Sequence, residues 1–104
     1  MIKFYRWHKF KAKQTEIDGI KFPSKKQANY YQELKLRQKT GDIIFFLREV
    51  PFHLPGGVTY RCDFVIFNPE GSVSFIDVKG FRTKEYVIKK KQVEAIYTVT
   101  IEER

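Results

Sequence analysis

The hydrophobic period of this chain changes at Gly41, from the spacing of a helix to the spacing of strands. That change restricts the chain to a mixed α+β fold. Ahead of Gly41, Phe22-Pro23-Ser24 has the form of a helix entry, with Ser24 as N-cap and Gln27 three residues on in a capping-box pattern. The spacing predicts a helix from about Lys25 to Lys39, stopping at Gly41, with Ala28, Tyr31 and Leu34 facing the core. Ile17-Asp18-Gly19-Ile20, before it, reads as a turn.

Beyond Gly41, Ile43 to Leu47 reads as a strand, and Pro51 makes the following stretch an edge or a bend. Pro55-Gly56-Gly57 is a tight turn, Tyr60 to Phe67 the next strand, and Asn68-Pro69-Glu70-Gly71 another turn. Val73 to Lys79 is a further strand closed by Gly80. Thr83 caps a second helix from Lys84 to about Ala95. Tyr97, Val99 and Ile101 then alternate with Thr98, Thr100 and Glu102 as a last short strand. The expected order is α-β-β-β-α-β, an α+β fold (an α/β sandwich) on a small mixed sheet.

A length of 104 residues, with no repeat and no linker, gives room for a single domain. Residues 1–13 alternate basic and aromatic side chains, as either an arm for nucleic acid or an edge strand. The lone Cys62 excludes an intrachain disulfide and a cysteine-rich zinc site. No apolar run approaches the roughly 20 residues of a membrane span. The first residues lack the apolar core of a signal peptide, so a cytoplasmic protein is expected. Twenty Lys and Arg against twelve Asp and Glu leave a net charge of +8. A polyanion is the natural partner, nucleic acid ahead of an anionic membrane surface.

The residues with chemistry lie on the last two long strands. Val73, Phe75, Asp77 and Lys79 share one face, which sets a carboxylate and an ammonium one pleat apart at a strand end. If a five-residue loop, 68 to 72, joins the strands, Phe67 faces Val73 and Asp63 falls opposite Asp77 on one open edge of the sheet. Directly opposed side chains have Cβ atoms about 4.5–5.5 Å apart. Carboxylates that close repel, and a hard divalent cation, Mg²⁺ or Mn²⁺, relieves the repulsion. The plain alternative is an Asp77–Lys79 ion pair with Asp63 in solvent.

Tyr60-Arg61-Cys62-Asp63-Phe64, followed by Ile76-Asp77-Val78-Lys79-Gly80, resembles the core of the PD-(D/E)XK nuclease superfamily. Within it the chain resembles small phage-borne, Holliday-junction-resolvase-like proteins. The likeness takes in Gly19, Phe22-Pro23-Ser24-Lys25-Lys26, Leu34, Gly41, Ile43, Thr83-Lys84-Glu85-Tyr86 and Lys89-Lys90-Lys91. It implies a restriction-endonuclease-like core and a metal held by Asp63, Asp77 and the carbonyl of Val78. Lys79 would orient or activate the attacking water and stabilise charge at phosphorus, leaving a 3′-hydroxyl and a 5′-phosphate. Family members often carry a Glu where this chain has Gln27, which would touch the metal or its water, or simply close the capping box.

The resemblance further implies DNA contacts from Lys89 and Lys91, joined by Lys84, Lys13 and Lys25, with Lys90 solvated. His8 and His53 have surface or packing roles. The expectation is a metal-dependent endodeoxyribonuclease serving phage recombination or DNA processing in a bacterial host, selective for branched structure. A homodimer suits symmetric substrates. The alternative is a nucleic-acid-binding protein of the same fold, weak or inactive in hydrolysis because of Gln27.

Overall fold

A computed structural model describes residues 14–104, so the 1–13 arm, with His8 and Lys13, lies outside the described residues. Two helices and two sheets, of two and four strands, make a mixed α+β fold. The chain divides into two compact units, one ending at Lys35 and one running from Leu36 to Arg104.

In the first unit, strands β1 (Thr15–Ile17) and β2 (Ile20–Phe22) pair antiparallel with Ile17 opposite Ile20. The loop between them is therefore only Asp18-Gly19, with φ of 54° and 76°. Positive φ at both positions is what a two-residue type I′ hairpin demands. The turn expected at 17–20 is thus the tip of a hairpin whose strands are too short to show an alternating pattern. Tyr31 donates its hydroxyl to Asp18 Oδ2 at 2.9 Å, and its ring lies 5.0 Å from that of Phe22.

Helix α1 (Lys25–Lys39) has the predicted bounds. Ser24 Oγ accepts the Gln27 N–H at 3.1 Å, the first half of the capping box. Ala28, Tyr31 and Leu34 are buried as expected, and so is Gln27, 4% exposed. After the helix, the chain turns through Gly41 at φ 85°. The N–H groups of Asp42 and Ile43 return to the Arg37 carbonyl, which gives one of the last helical acceptors its partners.

The second unit holds β3 (Phe45–Leu54), β4 (Val58–Phe67), β5 (Val73–Asp77), α2 (Lys84–Tyr97) and β6 (Ile101–Glu103). The strand order is β3-β4-β5-β6, antiparallel except for the parallel β5–β6 pair, which α2 connects. Pro51 lies within β3 and pairs with Arg61. An edge strand tolerates it because one side of its ladder is unused.

Helix α2 runs on to Tyr97 rather than stopping near Ala95. The Tyr97 ring packs edge-on against Phe52, 5.0 Å between centroids, and its hydroxyl donates to the His53 carbonyl at 2.7 Å. That packing outweighs the strand-like alternation of 97–101. Thr98, left-handed at φ 53°, ends the helix, and the strand starts only at Ile101.

One apolar cluster lies between α2 and the sheet. It contains Leu54, Tyr60, Cys62, Val65, Tyr86, Val93 and Ile101, with Phe52, Phe67 and Phe75 against it. Tyr60 and Cys62 are even-numbered positions of β4, whereas Val65 and Phe67 are odd. The strand's alternation therefore shifts by one residue at Asp63, opposite Glu49, which adopts a left-handed φ of 52° on β3.

Candidate active site

The geometry of the site begins in the 68–72 loop. Asn68 and Ser72 close it by a backbone bond of 2.9 Å, and Gly71 supplies φ of 102°. The Asn68 amide also donates to the hydroxyls of Ser72 and Ser74. Phe67 then pairs with Val73, and the register continues through Val65–Phe75 to Phe64–Ile76. One step further, Asp63 and Asp77 meet.

Each carboxylate is anchored by a main-chain donor. The Val78 N–H donates to Asp63 Oδ2 at 2.9 Å, and the Asp63 N–H donates to Asp77 Oδ1 at 3.1 Å. These bonds fix both side chains at the point where β5 ends. Asp77 is 0% exposed, and its second oxygen, Oδ2, is buried without a hydrogen-bond partner among the described residues. Burial pushes the Asp77 carboxyl above its ordinary range, against the lowering effect of the Asp63 N–H, Lys79 and Tyr86; nearby Glu103 raises it further.

The pair is not on an edge of the sheet. β4 and β5 are the two inner strands, because β6 adds beside β5 and sets Glu103 opposite Asp77. The continuation of β5 is also held: Arg104 N–H donates to the Asp77 carbonyl at 2.8 Å, and Lys79 N–H donates to the Arg104 carbonyl at 3.1 Å. Val78, whose N–H is used by Asp63, follows Asp77 directly.

Lys79 extends its ammonium over the Tyr86 ring, 4.3 Å from the centroid, a cation–π distance. Tyr86 comes from the first turn of α2, where its N–H is capped by Thr83 Oγ1 at 3.0 Å. Its hydroxyl donates to Glu103 Oε2 at 2.9 Å. Burial and that carboxylate push the phenol well above its ordinary value, so it stays a proton donor. Glu103 also meets Lys90 at 3.2 Å and Arg82 at 3.3 Å, and the Tyr86 hydrogen bond leads the causes holding its carboxyl below the usual range. Lys90 is therefore a half-buried partner of Glu103 and not the solvated residue expected.

Tyr86 and Glu103 were not singled out as site residues by sequence. The signals for Tyr86 are its helical distance from the Thr83 cap and its place in the Thr83-Lys84-Glu85-Tyr86 run of the resemblance. Glu103 becomes visible only once β6 is known to lie beside β5.

Around α2, successive residues turn by about 100°, so Lys84 and Lys91 fall on one side and Lys89 on the side of Tyr86. Lys84 and Lys91 are exposed, whereas Lys89 is half-buried, 3.4 Å from Glu85. Lys89 lines a cleft of about 210 Å³ together with Thr59, Tyr60, Arg61, Lys79, Thr83, Glu85 and Tyr86. Lys25 is exposed on α1, and Gln27, in the unit that ends at Lys35, is buried with its N–H on Ser24.

The Asp63 and Asp77 carboxylates are hard oxygen donors, and the nearby Cys62 thiol is turned to the Phe64 and Ile76 carbonyls. Among the described residues, no group of three or more His, Cys, Asp or Glu is placed to hold a metal ion. Two carboxylates alone suit, by ligand type, a Mg²⁺ or Mn²⁺ ion that keeps most of its waters. The orphaned Asp77 Oδ2 is the observation that favours this fit.

A family model described as "Protein of unknown function (DUF1064)" matches residues 7–102. The chain belongs to the DUF1064 family. No curated protein and no solved structure matches it. Asp63, Asp77, Lys79, Tyr86 and the cleft residues all fall within the span matched to DUF1064. Among the described residues of this DUF1064 chain, no helix is long and apolar enough to cross a membrane.

Proposed function

We propose that this DUF1064 chain is a metal-dependent endodeoxyribonuclease of the PD-(D/E)XK type. The observation that carries the reading is the buried Oδ2 of Asp77, which has no hydrogen-bond partner among the described residues while its other oxygen is held by the Asp63 N–H. A buried ionised oxygen without a partner is costly, and a bound cation removes that cost. The net charge of +8 supports a polyanionic substrate.

Asp63 and Asp77 would hold Mg²⁺ with the Val78 carbonyl. When bound, the ion supplies Lewis acidity at the scissile phosphate and lowers the pKa of a coordinated water. The main-chain bonds from Val78 and Asp63 keep both carboxylates from turning away, so the ligand geometry is set before the ion arrives. Lys79 offers a positive charge beside the carboxylates to balance charge building on phosphate oxygens. The Tyr86 ring bounds the sweep of that ammonium. Glu103 is occupied by Tyr86, Lys90 and Arg82, which limits its competition for Lys79.

Incubation of the purified protein with Mg²⁺ or Mn²⁺ and linear, flap or four-way DNA tests the reading. Metal-dependent cuts with 5′-phosphate ends, lost on Asp77→Asn, are expected. Preference for the branched substrates would add the structure selectivity of junction resolvases. The absence of a third acidic or imidazole ligand among the described residues favours a second reading, a DNA-binding protein without hydrolysis. Tight DNA binding with no cut in either metal would select it.

A further inference from the structure

The cleft beside Lys79 has the composition of an anion site. Three cations, Arg61, Lys79 and Lys89, and two hydroxyls, from Thr59 and Thr83, line its about 210 Å³, against one carboxylate, Glu85. Glu85 is itself turned to Lys89 at 3.4 Å. A second, independent observation points to a missing partner. Tyr60 is only 4% exposed, lines the same cleft, and has a buried hydroxyl with no hydrogen-bond partner among the described residues. A buried hydroxyl is costly to the fold unless something accepts its proton.

Two pieces of the fold bring these groups together. Thr59, Tyr60 and Arg61 are consecutive on β4, two residues ahead of Asp63. Thr83, Glu85, Tyr86 and Lys89 come from the start of α2 and its N-cap, so the N-terminal end of the helix adds its partial positive charge to the cleft. Lys79 links the cleft to Asp77, two residues away on the same chain segment.

We propose that this cleft is a site for a phosphate group of nucleic acid, adjacent to the one being cut, with the Tyr60 hydroxyl uncovered as the phosphate seats. Arg61 and Lys89 supply the charge, and the Tyr60 and Thr59 hydroxyls supply directed donors. The proposal rests on the nuclease reading for its ligand and deepens it by fixing where a neighbouring phosphate lies. The phosphate is either an internal diester or a 5′-terminal monoester, which share this chemistry.

The test is DNA affinity by fluorescence anisotropy in EDTA, where hydrolysis plays no part, across a salt series. Short duplexes carry either 5′-phosphate or 5′-hydroxyl ends. Arg61→Ala should lower affinity about tenfold and reduce the salt slope by roughly one. Equal loss on both duplexes assigns an internal diester. Loss confined to the 5′-phosphorylated duplex assigns the terminal monoester. Tyr60→Phe should weaken binding by about three- to tenfold while leaving the DNA-free protein as stable as, or more stable than, the wild type. That opposite pairing separates a ligand contact from a structural one.

Unchanged affinity and slope in both variants would overturn the proposal, even if the wild type cuts DNA with Mn²⁺. Conversely, losses in both variants without any cutting would keep the phosphate site and remove the nuclease reading.

Discussion

Asp63 and Asp77 are locked to each other's strand: the Asp63 N–H binds Asp77 Oδ1 at 3.1 Å, and the Val78 N–H binds Asp63 Oδ2 at 2.9 Å. Neither carboxylate can leave without breaking a main-chain bond. The arrangement holds two carboxyl groups together at the end of β5, one of them fully buried.

Asp77→Asn should therefore stabilise the metal-free protein while destroying the metal site. Burial raises the Asp77 carboxyl, so the folded state binds its proton more readily than the unfolded chain. The sign follows: stability rises as pH falls from the raised value toward the ordinary 3.8, and the cost is full above that window. At neutral pH the substitution should add about 1 kcal/mol, or roughly 4–8 °C in Tm. Mn²⁺ should raise the wild-type Tm and leave the variant unmoved in thermal melts.

Lys79→Ala should retain Mn²⁺ binding but lose cleavage by about 10²-fold or more, as loss of a charge-stabilising group does. Lys79 also helps hold the Asp77 carboxyl down, so its removal should move the pH midpoint of Mn²⁺ binding upward. Calorimetric titrations at several pH values read that shift. An unchanged midpoint would separate Lys79 from Asp77.

Gln27→Glu should destabilise the metal-free protein by about 1–3 kcal/mol, because the side chain is buried and a carboxylate there needs a partner. Denaturation at pH 7 and at low pH checks it. The loss should shrink as the carboxyl is protonated. The Ser24 cap, which binds the backbone of Gln27, is indifferent to the change.

Cys62 should react slowly with alkylating reagents in the native protein. Burial pushes its thiol up to about 11, and its Sγ lies 3.4 Å from the Phe64 carbonyl and 3.6 Å from that of Ile76. Little thiolate exists at neutral pH, and little access. Mass spectrometry after timed iodoacetamide exposure should show modification only after unfolding.

Much of the fold was legible because its signals are local. The Ser24 cap and Gly41 stop bounded α1 to the residue, and the 68–72 loop length set the Phe67–Val73 register that brings Asp63 to Asp77. What escaped was decided at a distance. The left-handed Glu49 and the parity shift at Asp63 leave no trace in the pattern of apolar residues. Glu103 acquired its place only from the parallel pairing of β6 with β5, and Tyr97 stayed helical because Phe52 was there to receive its ring.

The edge formed by β3 has a consequence for how this protein behaves in a crowd. Among the described residues, β3 bounds the four-stranded sheet on one side, a long strand of the kind that recruits strands from other molecules. Glu49 interrupts its extended backbone near the middle, and Pro51, two residues on, has no N–H to offer. An incoming strand would find neither a continuous ladder nor a flat surface. The irregularity opposite Asp63 thus works against strand addition along this edge, so crowding of many copies does not favour polymerisation through this sheet.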